Sequence, residues 1–193
     1  MIINQTAAGL SGRRVTLVVV CSLLLVMIFV GYCLWVFNHL ERSREQAVAA
    51  WRGVASELSL RNYAFEKVIA QGVDSQLIDI ARGEKFRLSV DRFSTTTQID
   101  KQIDAAQEVE LRVQVIRKTL ANRPEAADLI KEWDPIAIKP PRLSSALDAY
   151  ADVVQKQKEL LSSIGGRVLL LFVSLTQPRE FQIVSAVPNS RIL

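Results

Sequence analysis

Between residues 15 and 37 the chain is apolar or aromatic at every position except Thr16, Ser22 and Gly31, and it holds no charge and no proline there. A helix of that length reaches across the hydrocarbon core of a bilayer. Tyr32, Trp35 and Phe37 near its end suit the membrane–water interface, where an aromatic ring sits between lipid and water. The run predicts one spanning helix over 15–37, preceded by a short tail, 1–14. A cleaved signal peptide would carry a shorter apolar stretch, roughly 7–15 residues, followed by a small-x-small site; here bulky Leu34, Trp35 and Phe37 stand instead.

Beyond residue 38 the pattern takes on a helical period. Leu40, Ala47, Trp51, Val54, Leu58, Phe65, Val68 and Ile69 recur on one side, which predicts a long helix over 38–71, ending at Gly72. Asp74 is placed to cap a second helix that carries Leu77, Ile78, Ala81 and Leu88 and weakens across 93–97. From Ile99 the period resumes through Ile103, Ala106, Val109, Val113, Ile116 and Leu120, and Asn122 and Pro124 end that third helix. Pro124 then suits the first turn of a short helix reaching Trp133, since proline's missing amide would be unpaired there anyway. The stretch 134–141 holds three prolines and predicts an extended connection. A last long helix over 144–163 directs Leu147, Tyr150, Val154, Leu160 and Leu161 inward and is closed by Gly165 and Gly166.

The fold class that follows is all-α: one N-terminal transmembrane helix, then an antiparallel bundle of about four long helices occupying 38–193 as one domain. The segment 167–181 stands apart, because 168–175 is almost wholly apolar yet too short to cross a bilayer as a helix. It is expected to pack on the bundle. The competing reading makes it a surface for lipid or a partner, with Val168, Leu170, Phe172 and Phe181 as the candidate partner-binding residues.

Charge and composition narrow the function classes. Of 24 Lys and Arg, Arg13 and Arg14 precede the span, and the remaining 22 face 20 Asp and Glu. That mixed, nearly neutral surface lacks the clustered basic face of a nucleic-acid reader. Both cysteines, Cys21 and Cys33, fall inside the apolar run, so the rest of the chain offers no thiol for a disulfide or a zinc site. Arg13 and Arg14 on one side of the span and Arg42, Arg44 and Arg52 on the other leave the positive-inside count undecided. The absence of acids before the span favours the tail inside and the domain outside the cytoplasm.

A search for chemistry yields no reaction. The one histidine, His39, lies at the membrane boundary without a second His or a Cys to join it. Asp100 with Asp104, and Glu108 with Glu110, are carboxylate pairs on helices rich in Lys and Arg, the usual mark of a solvated face. Gly165 and Gly166 lack the Lys-Ser/Thr partner of a phosphate loop. No enzyme activity, cofactor or metal is expected.

The order of features resembles the LemA family of bacterial membrane proteins. A short tail and one span lead to Phe37 and Asn38 just past the membrane, to Trp51, and to Arg61, Asn62 and Tyr63. In the C-terminal half ANRPEAADLIKEWD, AYADVVQKQKELLSSIGGRVLLLF and QPREF follow with similar spacing; Tyr150 and Phe181 fall at the family's aromatic positions. Ala151 stands where the family has Asn, and Asn62 stands in its arginine-rich stretch. The resemblance implies a single-anchor bundle of long antiparallel helices in the inner membrane, no established enzymatic activity, and only loose links to membrane proteolysis and envelope stress. Two functions fit: a membrane-anchored scaffold or adaptor binding another envelope or membrane protein, or a ligand-sensing ectodomain that acts through a partner, since the tail 1–14 is too short to hold an output domain. The span contains no clear small-xxx-small face, so the sequence leaves open whether the chain forms a homo-oligomer.

Overall fold

The computed structural model of the chain describes residues 5–138, 140–172, 179–181 and 183. Among these the fold is all helical: α1 (Gln5–Asp74), α2 (Ile80–Thr95), α3 (Ile99–Ala121), a 3-10 turn (Pro124–Ala126), α4 (Ala127–Ala137), α5 (Pro141–Ser162) and α6 (Ile164–Phe172). The chain divides into two compact units, one of Met1–Ser43 with Gln157–Thr176 and the other of Arg44–Lys156 with Gln177–Leu193. The end of α5 and α6 thus belong with the first unit.

In the first unit, every large apolar side chain from Leu17 to Val30 is exposed, Met27 by 72% and Phe29, the least, by 44%. By length and composition α1 is the one helix among the described residues able to cross a bilayer. Tyr32, Trp35 and His39 stack along one face, with ring centroids 6.2 Å and 5.4 Å apart. Val36 and Leu40 close a small core with Leu161, flanked by Leu160 and Leu169.

Gly165 and Gly166 do not stop a helix; they lie in the first turn of α6. Ser163 caps that turn, its Oγ accepting from the Gly166 amide at 3.1 Å. Their lack of side chain serves close approach. A Cβ on Gly165 would lie 2.7 Å from Tyr32 Cε1, and one on Gly166 2.3 Å from the Leu160 carbonyl oxygen.

The second unit is a helical bundle around the aromatics Trp51, Phe65, Phe86, Phe93 and Trp133, all at most 1% exposed. The inward stripe of α1 matches expectation at Trp51, Val54, Leu58, Phe65, Val68 and Ile69. So does that of α3, from Ile103 to Leu120. Three local expectations differ. Gly72 and Asp74 continue α1, and Asp79 caps α2 by accepting from the Ala81 amide at 3.3 Å. Because α2 begins later than expected, Phe86, Ser89 and Phe93 set its buried phase, and Leu88 is 67% exposed. Thirdly, the expected extended connection over 134–141 is largely helical, with Pro135 inside α4 and Pro141 opening α5. Burial of Trp133, Ala137 and Leu143 favours this arrangement, and the carbonyl of Ile136 in the last turn of α4 accepts from Arg61 Nε at 3.2 Å.

Candidate functional site

The residues singled out for a partner fall in both units. On α6, in the first unit, Val168 is half-buried and Leu170 is exposed; Phe172 ends the helix, but its side chain lies outside the described residues. Phe181 belongs to the second unit and is buried edge-on against Trp51, with centroids 5.4 Å apart. The backbone two residues before it is held, since Tyr150 Oη donates to the Arg179 carbonyl at 2.8 Å and the Arg179 guanidinium pairs with Asp104. Burial, with Asp100 adding to it, pushes the Tyr150 phenol up to about 12, which keeps the donor proton in place across neutral pH. Phe181 is therefore a core residue of the second unit.

The carboxylates read as a solvated face also separate. Glu108 meets Arg92 and Arg112 at 3.2 Å and 3.4 Å on the surface. Glu110 instead lies 3% exposed and pairs with Arg61, itself 6% exposed. The Arg61 guanidinium further stands 5.0 Å above the Phe65 ring. One guanidinium thus joins α1, α3 and the end of α4, which is a structural task. Glu110 lies beside Val109 in the buried stripe of α3, and the charges of Glu108 and Arg112 two residues to either side hide that burial in the sequence.

A concave site in the second unit lies between α1 and α2. It encloses about 480 Å³, a size within the usual range of small-ligand and side-chain sites. Ile69 and Val73 of α1 and Ile80 and Phe86 of α2 supply apolar walls. Gly83 sets the spacing, because a Cβ there would meet Val73 Cγ2 at 3.0 Å and Ile69 Cγ2 at 3.6 Å. Around the apolar surface stand four carboxylates, Glu66, Asp74, Glu84 and Asp91, with Arg87 as the one guanidinium lining it. Ile80, 66% exposed, remains at its edge.

The electrostatics of the groove are those of an incompletely neutralised acidic rim. The Glu66 carboxyl is raised above its ordinary value, chiefly by burial and then by Asp91, against the lowering effect of Arg87. A carboxyl with a raised folded-state value stabilises the fold below the unfolded value and loses that contribution as pH rises through the folded one. Glu66→Gln is accordingly expected to raise the melting temperature at neutral pH, with the advantage shrinking as pH falls into the ordinary carboxylate range; thermal melts of both forms across pH check this.

The groove was missed in the sequence because it exists only once α2 lies beside α1. One local signal was available: Gly83 sits inside a helix where alanine would be favoured by about 1 kcal/mol, so it marks a packing or binding requirement. No family model, curated protein or solved structure matches the chain.

Proposed function

We propose that the chain is a non-enzymatic, membrane-anchored adaptor whose bundle holds a segment of another membrane or envelope protein in the groove between α1 and α2. The observation that carries this reading is the pairing of an apolar trough with a rim of four carboxylates to one guanidinium. That combination suits an amphipathic helix laying an apolar stripe into the trough, with Lys or Arg along its flanks.

The membrane anchor is α1. Its exposed apolar side chains from Leu17 to Val30 match lipid as a solvent, and the Tyr32, Trp35 and His39 stack suits the headgroup level. The acid-free segment before the span supports a tail inside and a bundle outside the cytoplasm of a bacterial inner membrane. The same reading extends to kinship with the LemA family, whose order of span, Trp51, Arg61 and Tyr150 the sequence resembles.

A binding measurement with defined probes tests the groove. The full chain in zwitterionic nanodiscs is titrated with a fluorescent amphipathic Leu/Lys helix and with its Leu/Glu counterpart. The Lys helix is expected to bind at least about tenfold more tightly, each tenfold being 1.4 kcal/mol, and to lose that preference in a chain carrying Glu84→Lys and Asp91→Lys. Equal binding of the Lys helix by the native and charge-reversed chains would rule the groove out.

A further inference from the structure

α6 is a short helix with an unusual surface. Its nine residues run Ile164–Phe172, and among the described side chains the exposed ones, Ile164, Arg167 and Leu170, recur at spacing three, on one face. Ile164 is 74% exposed and Leu170 38%. The opposite face is fixed to α1 at a defined level. Gly165 brings the backbone of α6 against the Tyr32 ring and Val36, where an added Cβ would lie 2.7 Å and 2.9 Å away. Leu169 packs beside the cluster of Val36, Leu40 and Leu161. The contact therefore falls in the last apolar turns of α1, beside the Tyr32, Trp35 and His39 stack.

We propose that α6 is a membrane-interface helix, lying along the bilayer surface beside the end of the span. Ile164 and Leu170 enter the boundary between headgroups and acyl chains, and Arg167 extends its aliphatic stem past them to a lipid phosphate. Nine helical residues rise about 14 Å, far too short to cross the hydrocarbon core but sufficient to lie in its surface. Apolar residues flanking a cation on the outward face are the composition that interfacial helices use, and an arginine between them satisfies its charge by reaching outward. The bilayer is the occupant because the helix is held against the one segment of the described chain whose surface already calls for lipid. This inference rests on α1 spanning the membrane and is independent of the groove.

The test is depth-dependent quenching in the full chain, reconstituted into phosphatidylcholine vesicles with nitroxides at shallow or deep acyl positions. A background with Cys21→Ala and Cys33→Ala carries one labelled cysteine at a time, at Leu170→Cys, Ile164→Cys, Val26→Cys or Ser75→Cys. Shallow nitroxides are expected to quench the labels at 170 and 164 several-fold more than the label at 75, while deep nitroxides quench the label at 26 most. Labels at 170 and 164 that behave like the one at 75, with the label at 26 deep, overturn the interfacial helix and leave the span intact. A label at 26 that no nitroxide reaches overturns the span, and this inference with it. Two independent positions on α6 guard against one label disturbing the helix, and a circular dichroism spectrum of each labelled chain checks that it has folded.

Discussion

Glu110→Ala is expected to destabilise the chain by about 3–5 kcal/mol, the usual effect of leaving one member of a buried ion pair without its partner. Arg61 stays charged once Glu110 is gone, because a guanidinium does not give up its proton in proteins. Its remaining polar contact, from Nε to the Ile136 carbonyl, does not neutralise that charge. The replacement of both partners separates the pair's own contribution from this penalty. In Arg61→Met with Glu110→Leu, apolar side chains fill the same space, and stability is expected to return to within about 1–2 kcal/mol of the native chain, since well-packed apolar replacements of buried pairs are often neutral or better. Melts in mild detergent read both: a loss of roughly 10 °C or more for the single variant and recovery of most of it in the double. A double variant no more stable than Glu110→Ala would show that the pair contributes through the hydrogen bond from Arg61 to α4 rather than by avoiding an isolated charge.

Trp51→Ala should cost about 3–5 kcal/mol as well, through a different cause. The indole is fully buried, lies 5.3 Å from the Tyr150 ring and 5.4 Å from Phe181, and donates through Nε1 to Gln102 Oε1 at 2.8 Å. Gln102 in turn donates to the Phe93 carbonyl at 3.3 Å, so the same side chain ties α1 to α3 and to the end of α2. Removing the ring leaves a cavity, an unpaired amide and a loosened seat for Phe181. Trp51→Phe keeps most of the buried area and loses the hydrogen bond, and should cost only about 1–2 kcal/mol. Limited proteolysis adds a second readout: cleavage next to Arg179 is expected to accelerate in Trp51→Ala well before the rest of the chain is cut.

The parts of this fold visible in the sequence are those set by patterns along one helix. The apolar run over 15–37 is legible from its unbroken length, and the inward stripes from Trp51 to Ile69 and from Ile103 to Leu120 repeat at the helical period, so the local pattern alone identifies them. The errors arise where a distant partner decides. Pro135 and the residues around it read as a break, but Trp133, Ala137 and the bond from Arg61 hold the backbone helical. Gly165 and Gly166 read as a stop, but Tyr32 and Leu160 require small residues there. Glu110 sits in a charged stretch that reads as solvated, and only the approach of Arg61 from α1 explains its burial. Leu88 fitted a stripe that starts too early; the cap at Asp79 rotates α2 so that Phe86 and Phe93 face the core.

The candidate site was less legible still. Nothing local to Phe181 in the sequence reveals its burial against Trp51, or that Tyr150 holds the backbone two residues before it. The groove lies between residues 66–74 and 80–91, close in sequence, yet its acids read as cap or surface residues until the two helices set them around one apolar trough.

Site-specific photocrosslinking in cells tests the central claim most directly. A photoreactive residue at Ile80, at the edge of the groove, is activated in the native chain and in one carrying Glu84→Lys and Asp91→Lys, and the crosslinked peptides are sequenced by mass spectrometry. The adaptor reading predicts one protein partner, captured through a helix with an apolar stripe flanked by Lys or Arg, and lost on charge reversal. Crosslinks unchanged by the reversal, or a captured segment that is acidic or non-helical, would contradict it.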